Sequence, residues 1–182
     1  MTIPTGQYGV IYADPPWYFQ NYSAKGEGKN PVAHYDCMEM EDMKKMPVLF
    51  SAAPHSVLFM WACFPMLPQA LDLMDSWGFK YKTGGAWHKK TVNGKTAFGT
   101  GYILRSASEL FLIGTNGKPK IKNRATRNLI EAAVREHSRK PDCTYEMIEN
   151  LFDGPYLELF ARTTRPGWTA WGNETDKFKV GS

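Results

Sequence analysis

The chain has 182 residues, 43% of them hydrophobic and 14% aromatic, enough for one domain (1–182) with a full core. Its net charge of +4 is compatible with a polyanionic partner without identifying one. The three cysteines, Cys37, Cys63 and Cys143, have neither metal-ligand nor disulfide spacing, no apolar run approaches the ~20 residues of a membrane span, and no signal peptide precedes the first strand, so a cytoplasmic, metal-free protein away from the membrane is expected.

In chain order, Tyr8 to Ala13 is an apolar run, with a buried strand expected over Val10–Ala13. Asp14-Pro15-Pro16-Trp17 follows at once, where that strand should end. In open α/β sheets, chemistry collects at the carboxyl ends of strands. The prolines donate no backbone N–H and stiffen the residues before them. What remains is a rigid set of hydrogen-bond acceptors beside an indole: the Asp14 carboxylate and the carbonyls of Asp14 and Pro15. Such a set suits an amino group on an aromatic base. Residues 18–39 are polar, broken by Gly26, Gly28 and Pro31, and too long for a simple connection.

Met40–Met46 reads as a short helix stopped by Pro47, and Ser56–Met60 as a strand. Pro68–Trp77 carries Leu71, Met74 and Trp77 at helical spacing, with Gly78 as its cap. Phe79–Trp87 reads as a strand, Lys89–Gly101 as a basic, glycine-rich loop and Glu109–Gly114 as a buried strand. Lys118–Arg127 holds Lys120, Lys122 and Arg124 with no acid between them. It reads either as a solvated loop or as a phosphate-tracking loop over the active site. Thr144–Leu151 is a helix with Asp142 as N-cap, and Tyr156–Phe160 and Trp168–Trp171 are the last strands. Strands alternating with helices predict an α/β fold, a central and mainly parallel sheet flanked by helices. His34, His55, His88 and His137 show no mutual zinc spacing. Arg105, Arg135 and Arg139 serve either substrate phosphates or the solvated surface.

Asp14-Pro15-Pro16-Trp17 resembles the catalytic tetrapeptide of the MT-A70 family, S-adenosylmethionine-dependent adenine N6-methyltransferases with bacterial and phage members. Supporting segments follow in the family's order: Pro31–Tyr35, Met40–Met43, Leu58–Trp61, Ala86–Lys89, Ser108–Leu112, Arg139–Asp142, Leu157–Arg162 and Trp168–Glu174. The resemblance runs from about Tyr8 to about Asp176. It implies a Rossmann-like methyltransferase domain whose motif order is permuted, so that the cofactor segment follows the catalytic one and no G-x-G-x-x-G loop is needed.

By this resemblance Asp14, Pro15, Pro16 and Trp17 form the catalytic set, and Asp14 also belongs to the cofactor-binding residues. Lys140 would pair with the carboxylate of S-adenosylmethionine. Arg162, Asn173 and Glu174 would hold its ribose, with Glu158 supporting Arg162 or the ribose. Trp17, Tyr18 or Tyr35 could stack on the base, and Lys120, Lys122 and Arg124 would meet the substrate backbone. Ala161 and Glu174 depart from the pattern, standing for glycine and glutamine. Thr164 and Arg165 are candidates for the cofactor's amino group, and its adenine pocket would come from 1–7, from elsewhere, or be more open. DNA is the expected partner and RNA the runner-up; a homodimer would widen a small footprint. The rival reading is a non-catalytic nucleic-acid-binding subunit of the same fold.

Overall fold

A computed structural model describes residues 2–17 and 38–178. Its strands form one seven-stranded sheet in the order β5-β3-β4-β2-β1-β6-β7. These are β1 (Tyr8–Ala13), β2 (Ala52–Ala62), β3 (Lys80–Lys90), β4 (Ser108–Asn116), β5 (Leu129–Ala133), β6 (Tyr156–Leu159) and β7 (Trp168–Trp171). The helices are α1 (Met40–Lys44), α2 (Leu67–Ser76) and α3 (Cys143–Leu151). β1 runs parallel to both β2 and β6, β6 to β7, and β3 to β5. Only β4 is antiparallel to its neighbours, β2 and β3. The sheet is thus mostly parallel, as expected, and the permuted order shows in β6 and β7 lying on the far side of β1 from β2.

The alternation of side chains along a strand divides the core in two. From β1 and β2, Ile11, Ala13, Leu58, Met60 and Ala62 face one layer, which Met43 of α1 and Leu73 and Met74 of α2 close. Val10, Tyr12, Val57, Phe59 and Trp61 face the other, closed by Tyr145 and Ile148 of α3. Strands covered on both faces explain the continuous apolar runs of β1 and β2. Each fully buried side chain of this size contributes about 1.5–3 kcal/mol.

α2 turns by one position relative to the expected stripe. Ala70, Leu73, Met74 and Trp77 are buried, whereas Leu71 is 37% exposed. The spacing 70, 73, 74, 77 follows 3.6 residues per turn more closely than 71, 74, 77. Gly78 ends the helix as expected, at φ 81°, with the Phe79 N–H donating to the Met74 carbonyl at 3.1 Å. Asp142 occupies the N-cap position of α3 but makes no capping bond with its side chain. Its carboxylate instead accepts from Arg135 at 2.7 and 2.9 Å. β5 was not expected: a five-residue edge strand with Leu129 exposed carries little periodic signal.

Candidate active site

β1 lies where the sheet order reverses, between β2 and β6, and Asp14 is the first residue beyond its carboxyl end. A cavity of about 1610 Å³ opens at this edge. Asp14, Pro15, Pro16 and Trp17 line it together with Lys140, Arg162, Asn173 and Glu174. The volume exceeds the ~300–1,000 Å³ of a usual small-ligand pocket.

The floor of the cavity carries a chain of alternating charges. Lys89 Nζ meets Glu109 Oε1 at 2.5 Å, and Glu109 Oε2 meets Lys140 Nζ at 3.2 Å. Lys140 Nζ continues to Asp14 Oδ2 at 3.0 Å, and Arg162 lies 3.8 Å from the same oxygen. Burial alone would pull the Lys140 ammonium down, yet Asp14 and Glu109 outweigh it and hold it above its ordinary value. Burial likewise opposes ionisation of Glu109, but Lys140 and Lys89 outweigh it and hold the carboxyl below its ordinary range. Both cations meet Asp14 through Oδ2, so Oδ1 carries no ion pair among the described residues. The Lys140 ammonium also donates to the Ser138 carbonyl at 3.4 Å, which occupies its third hydrogen.

Local backbone geometry builds the walls. The Trp17 N–H donates to the Pro15 carbonyl at 2.9 Å, closing a tight turn that leaves this carbonyl a second lone pair. Phe160 has φ 59°, unusual for a residue with a side chain, and reverses the chain after β6 so that Arg162 reaches the cavity. Gly172 permits this reversal, because a Cβ there would sit 2.6 Å from the Ala161 carbonyl oxygen. The Ala161 N–H donates to the Trp171 carbonyl at 2.9 Å. Thr2 and Ile3 supply part of the wall, and the Trp171 indole donates to the Thr2 carbonyl at 3.0 Å.

A match to the family model described as MT-A70 spans residues 8–174. The chain belongs to the MT-A70 family. It is 29% identical to the type II methyltransferase M.MunI of a Mycoplasma species, over 98% of this chain and 82% of that protein. It is also 29% identical to an N(6)-adenosine-methyltransferase MT-A70-like protein of Arabidopsis thaliana, over 96% of this chain. The human N(6)-adenine-specific methyltransferase METTL4 is 28% identical, over 94% of this chain. The chain spans 25% and 38% of the length of these last two.

Several of the expected site residues come together at the cavity and others do not. Trp17 is 6% exposed and its indole donates to the Trp61 carbonyl at 3.1 Å, so it is a core wall with little face open for stacking. Tyr18 and Tyr35 lie outside the described residues. Glu158 lies below the cavity: its carboxylate accepts from the Tyr145 hydroxyl at 3.0 and 2.9 Å, and burial pushes its acid up to about 8. Glu174 faces the cavity but pairs with Lys177 at 2.6 Å. Arg165 pairs with Glu149 at 3.1 Å and is absent from the lining, as is Thr164.

The expectation that Lys118–Arg127 covers the active site is corrected. β4 runs antiparallel, starting beside the carboxyl end of β3 and ending beside Ser56 at the start of β2. The loop after it therefore leaves from the opposite edge. There Lys122 pairs with Asp153 at 3.0 Å, and Lys120, Lys122 and Arg124 are absent from the cavity. The loop between β3 and β4 takes the place beside the site, with Gly99 to Ser106 lining it. Lys89 and Glu109 were also missed as site residues. Lys89 falls at the start of the expected basic loop, whereas β3 in fact runs on to Lys90, and Glu109 falls in an expected strand; only the pairing of β3 with β4 brings them together.

Proposed function

We propose that this protein is an S-adenosylmethionine-dependent methyltransferase acting on the exocyclic N6 of adenine in DNA. The observation that carries the reading is Asp14-Pro15-Pro16-Trp17 closing β1 at the mouth of a cavity wide enough for a cofactor and a base together. Similarity to a type II methyltransferase over 98% of this chain and 82% of that protein supports DNA. The N(6)-adenosine-methyltransferase relatives, matched over about a quarter of their length, make RNA the competing substrate.

Adenine's amino nitrogen is a poor nucleophile because its lone pair is delocalised into the ring. Asp14 and the second lone pair of the Pro15 carbonyl accept from its two hydrogens. Positive charge grows on the nitrogen as it attacks, and a carboxylate already fixed by Lys140 and Arg162 meets that charge without reorganising. Trp17, locked by its bond to Trp61, holds the tetrapeptide rigid. When bound, the cofactor would supply an electrophilic sulfonium methyl, the new N–C bond replacing its C–S bond with the sulfur leaving as a neutral thioether, and the methylated nitrogen would then release one proton to solvent. The donor set fits the cofactor: Lys140 would take its carboxylate by releasing the long contact to Ser138, and Arg162, Asn173 and Glu174 would take its ribose. We place no metal in this reaction. Glu158, bonded to Tyr145 and within electrostatic reach of Arg162, would act by positioning these two residues.

The test is incubation with methyl-labelled S-adenosylmethionine and duplex DNA, single-stranded DNA or RNA, followed by digestion. The expected product is N6-methyladenine from DNA. Label in RNA alone would overturn the substrate, and no label with no cofactor binding by calorimetry would favour the non-catalytic subunit.

A further inference from the structure

The loop between β3 and β4 carries an exposed apolar tip that the methyl-transfer chemistry does not use. Ile103 is 84% and Leu104 82% exposed, and Tyr102 beside them is largely exposed. The tip is a built turn. The Gly99 N–H donates to the Ser106 carbonyl at 2.7 Å and the Ser106 N–H to the Thr100 carbonyl at 3.2 Å, which closes its neck. Arg105 Nε donates to the Gly99 carbonyl at 2.8 Å while its guanidinium lies 5.0 Å over the Phe98 ring. A Cβ at Gly101 would collide with the Leu104 carbonyl oxygen, so glycine permits the turn. The same residues line the cavity that holds Asp14.

The charge around the tip selects its partner. Residues 91–107 contain Lys95 and Arg105 and no acid. Neither cation makes an ion pair among the described residues, unlike Lys89 and Lys90, which are tied to Glu109 and Glu131. An apolar tip in a positive, acid-free frame fits a polyanion with an apolar interior, which is a base stack.

We infer that Ile103 and Leu104 form a wedge that enters the duplex at the place vacated by the extruded adenine. A base inside a duplex cannot reach a recessed carboxylate, so the target must leave the stack. Branched apolar side chains inserted between base steps are a general means of holding a stack open. The neck bonds keep the wedge at a fixed height beside the cavity, and Lys95 and Arg105 would meet the flanking phosphates. This inference rests on the nucleic-acid reading of the site.

The test compares wild type with the Ile103→Ser, Leu104→Ser double variant on three DNAs: a duplex with the target adenine paired, the same duplex with that adenine opposite an abasic site, and the single strand. A wedge predicts that kcat/KM falls at least about tenfold on the paired duplex and less than about threefold on the other two. An equal fall on all three, or no fall, would overturn it. Fluorescence of 2-aminopurine at the target position gives a readout that needs no turnover. It should rise on binding of wild type and stay low with the variant. Should wild type methylate nothing, the enzymatic reading fails, while this signal still decides the wedge. Wild type that sediments as a dimer and a variant that sediments as a monomer would reassign the tip to self-association and overturn it.

Discussion

The two edges of the sheet both present basic loops, yet they are built for different work. At the carboxyl edge, Lys89, Lys140 and Arg162 are partly buried and bound to two carboxylates in a continuous chain. At the opposite edge, Lys120, Lys122 and Arg124 lie in an exposed loop, and Lys122 meets an exposed Asp153. Exposed pairs contribute about 0–1 kcal/mol, whereas charges out of water interact far more strongly and cannot be left unpartnered. The count of lysines and arginines in a segment therefore says little; what matters is which end of which strand delivers them. Here the antiparallel run of β4 makes that choice.

The sharpest way to break the comparison is at the centre of the carboxyl edge. Asp14→Asn keeps the shape and removes the charge. It should lower methyl transfer by about 10²–10³-fold, with the dissociation constant of the cofactor changing only a few-fold. Single-turnover rates and calorimetry measure the two quantities. Turnover near wild type would remove Asp14 from its role.

Below the same edge, Glu158 predicts a pH dependence of stability. Its folded value of about 8 lies above the ordinary 4.5, with burial as the leading cause. The folded state therefore holds a proton more tightly than the unfolded state does. Stability is full below the ordinary carboxyl range and is lost as pH rises toward and through 8, by up to about 5 kcal/mol. Glu158→Gln should flatten that decline. Thermal unfolding at pH 5 and pH 8.5 for both proteins tests it; an equal decline in the two would assign the loss elsewhere.

Glu109→Gln tests the middle link of the charge chain. Lys140 loses one of its two carboxylate partners, and its raised value should move down toward normal. Methyl transfer should fall roughly tenfold, with the alkaline limb of its pH profile moving to lower pH. An unchanged profile would show that Asp14 alone sets the lysine.

Much of this was legible in the sequence, for physical reasons that vary by residue. Strands buried on both faces are apolar throughout, so β1 and β2 read clearly. Asp14 to Trp17 were legible because two prolines after a strand leave few conformations. Lys140 and Arg162 were legible only through the resemblance, since neither has a local pattern that marks a site. The bond of Glu158 to Tyr145 was not legible, because alternation puts a residue on one face of the sheet without saying which partner will meet it there. Lys89 and Glu109 could not be paired from sequence, because that needs the register of β3 against β4. Of the two readings of the 118–127 loop, the one that lays it over the active site fails, because a basic composition carries no information about strand direction.

The smallest expected effect is at that loop, and it closes the comparison. Replacing Lys120, Lys122 and Arg124 together by glutamine should change kcat/KM less than about twofold and leave the salt slope of DNA binding where it was. Replacing Lys95 and Arg105 should instead reduce that slope by about one to two, because Arg105 lines the cavity proposed to receive the base and Lys95 lies on the same loop. Titration at several salt concentrations measures both. A reduced slope from the far-edge variant would mean that the nucleic acid wraps around the end of the sheet, so that both edges bind the substrate and only one does chemistry on it.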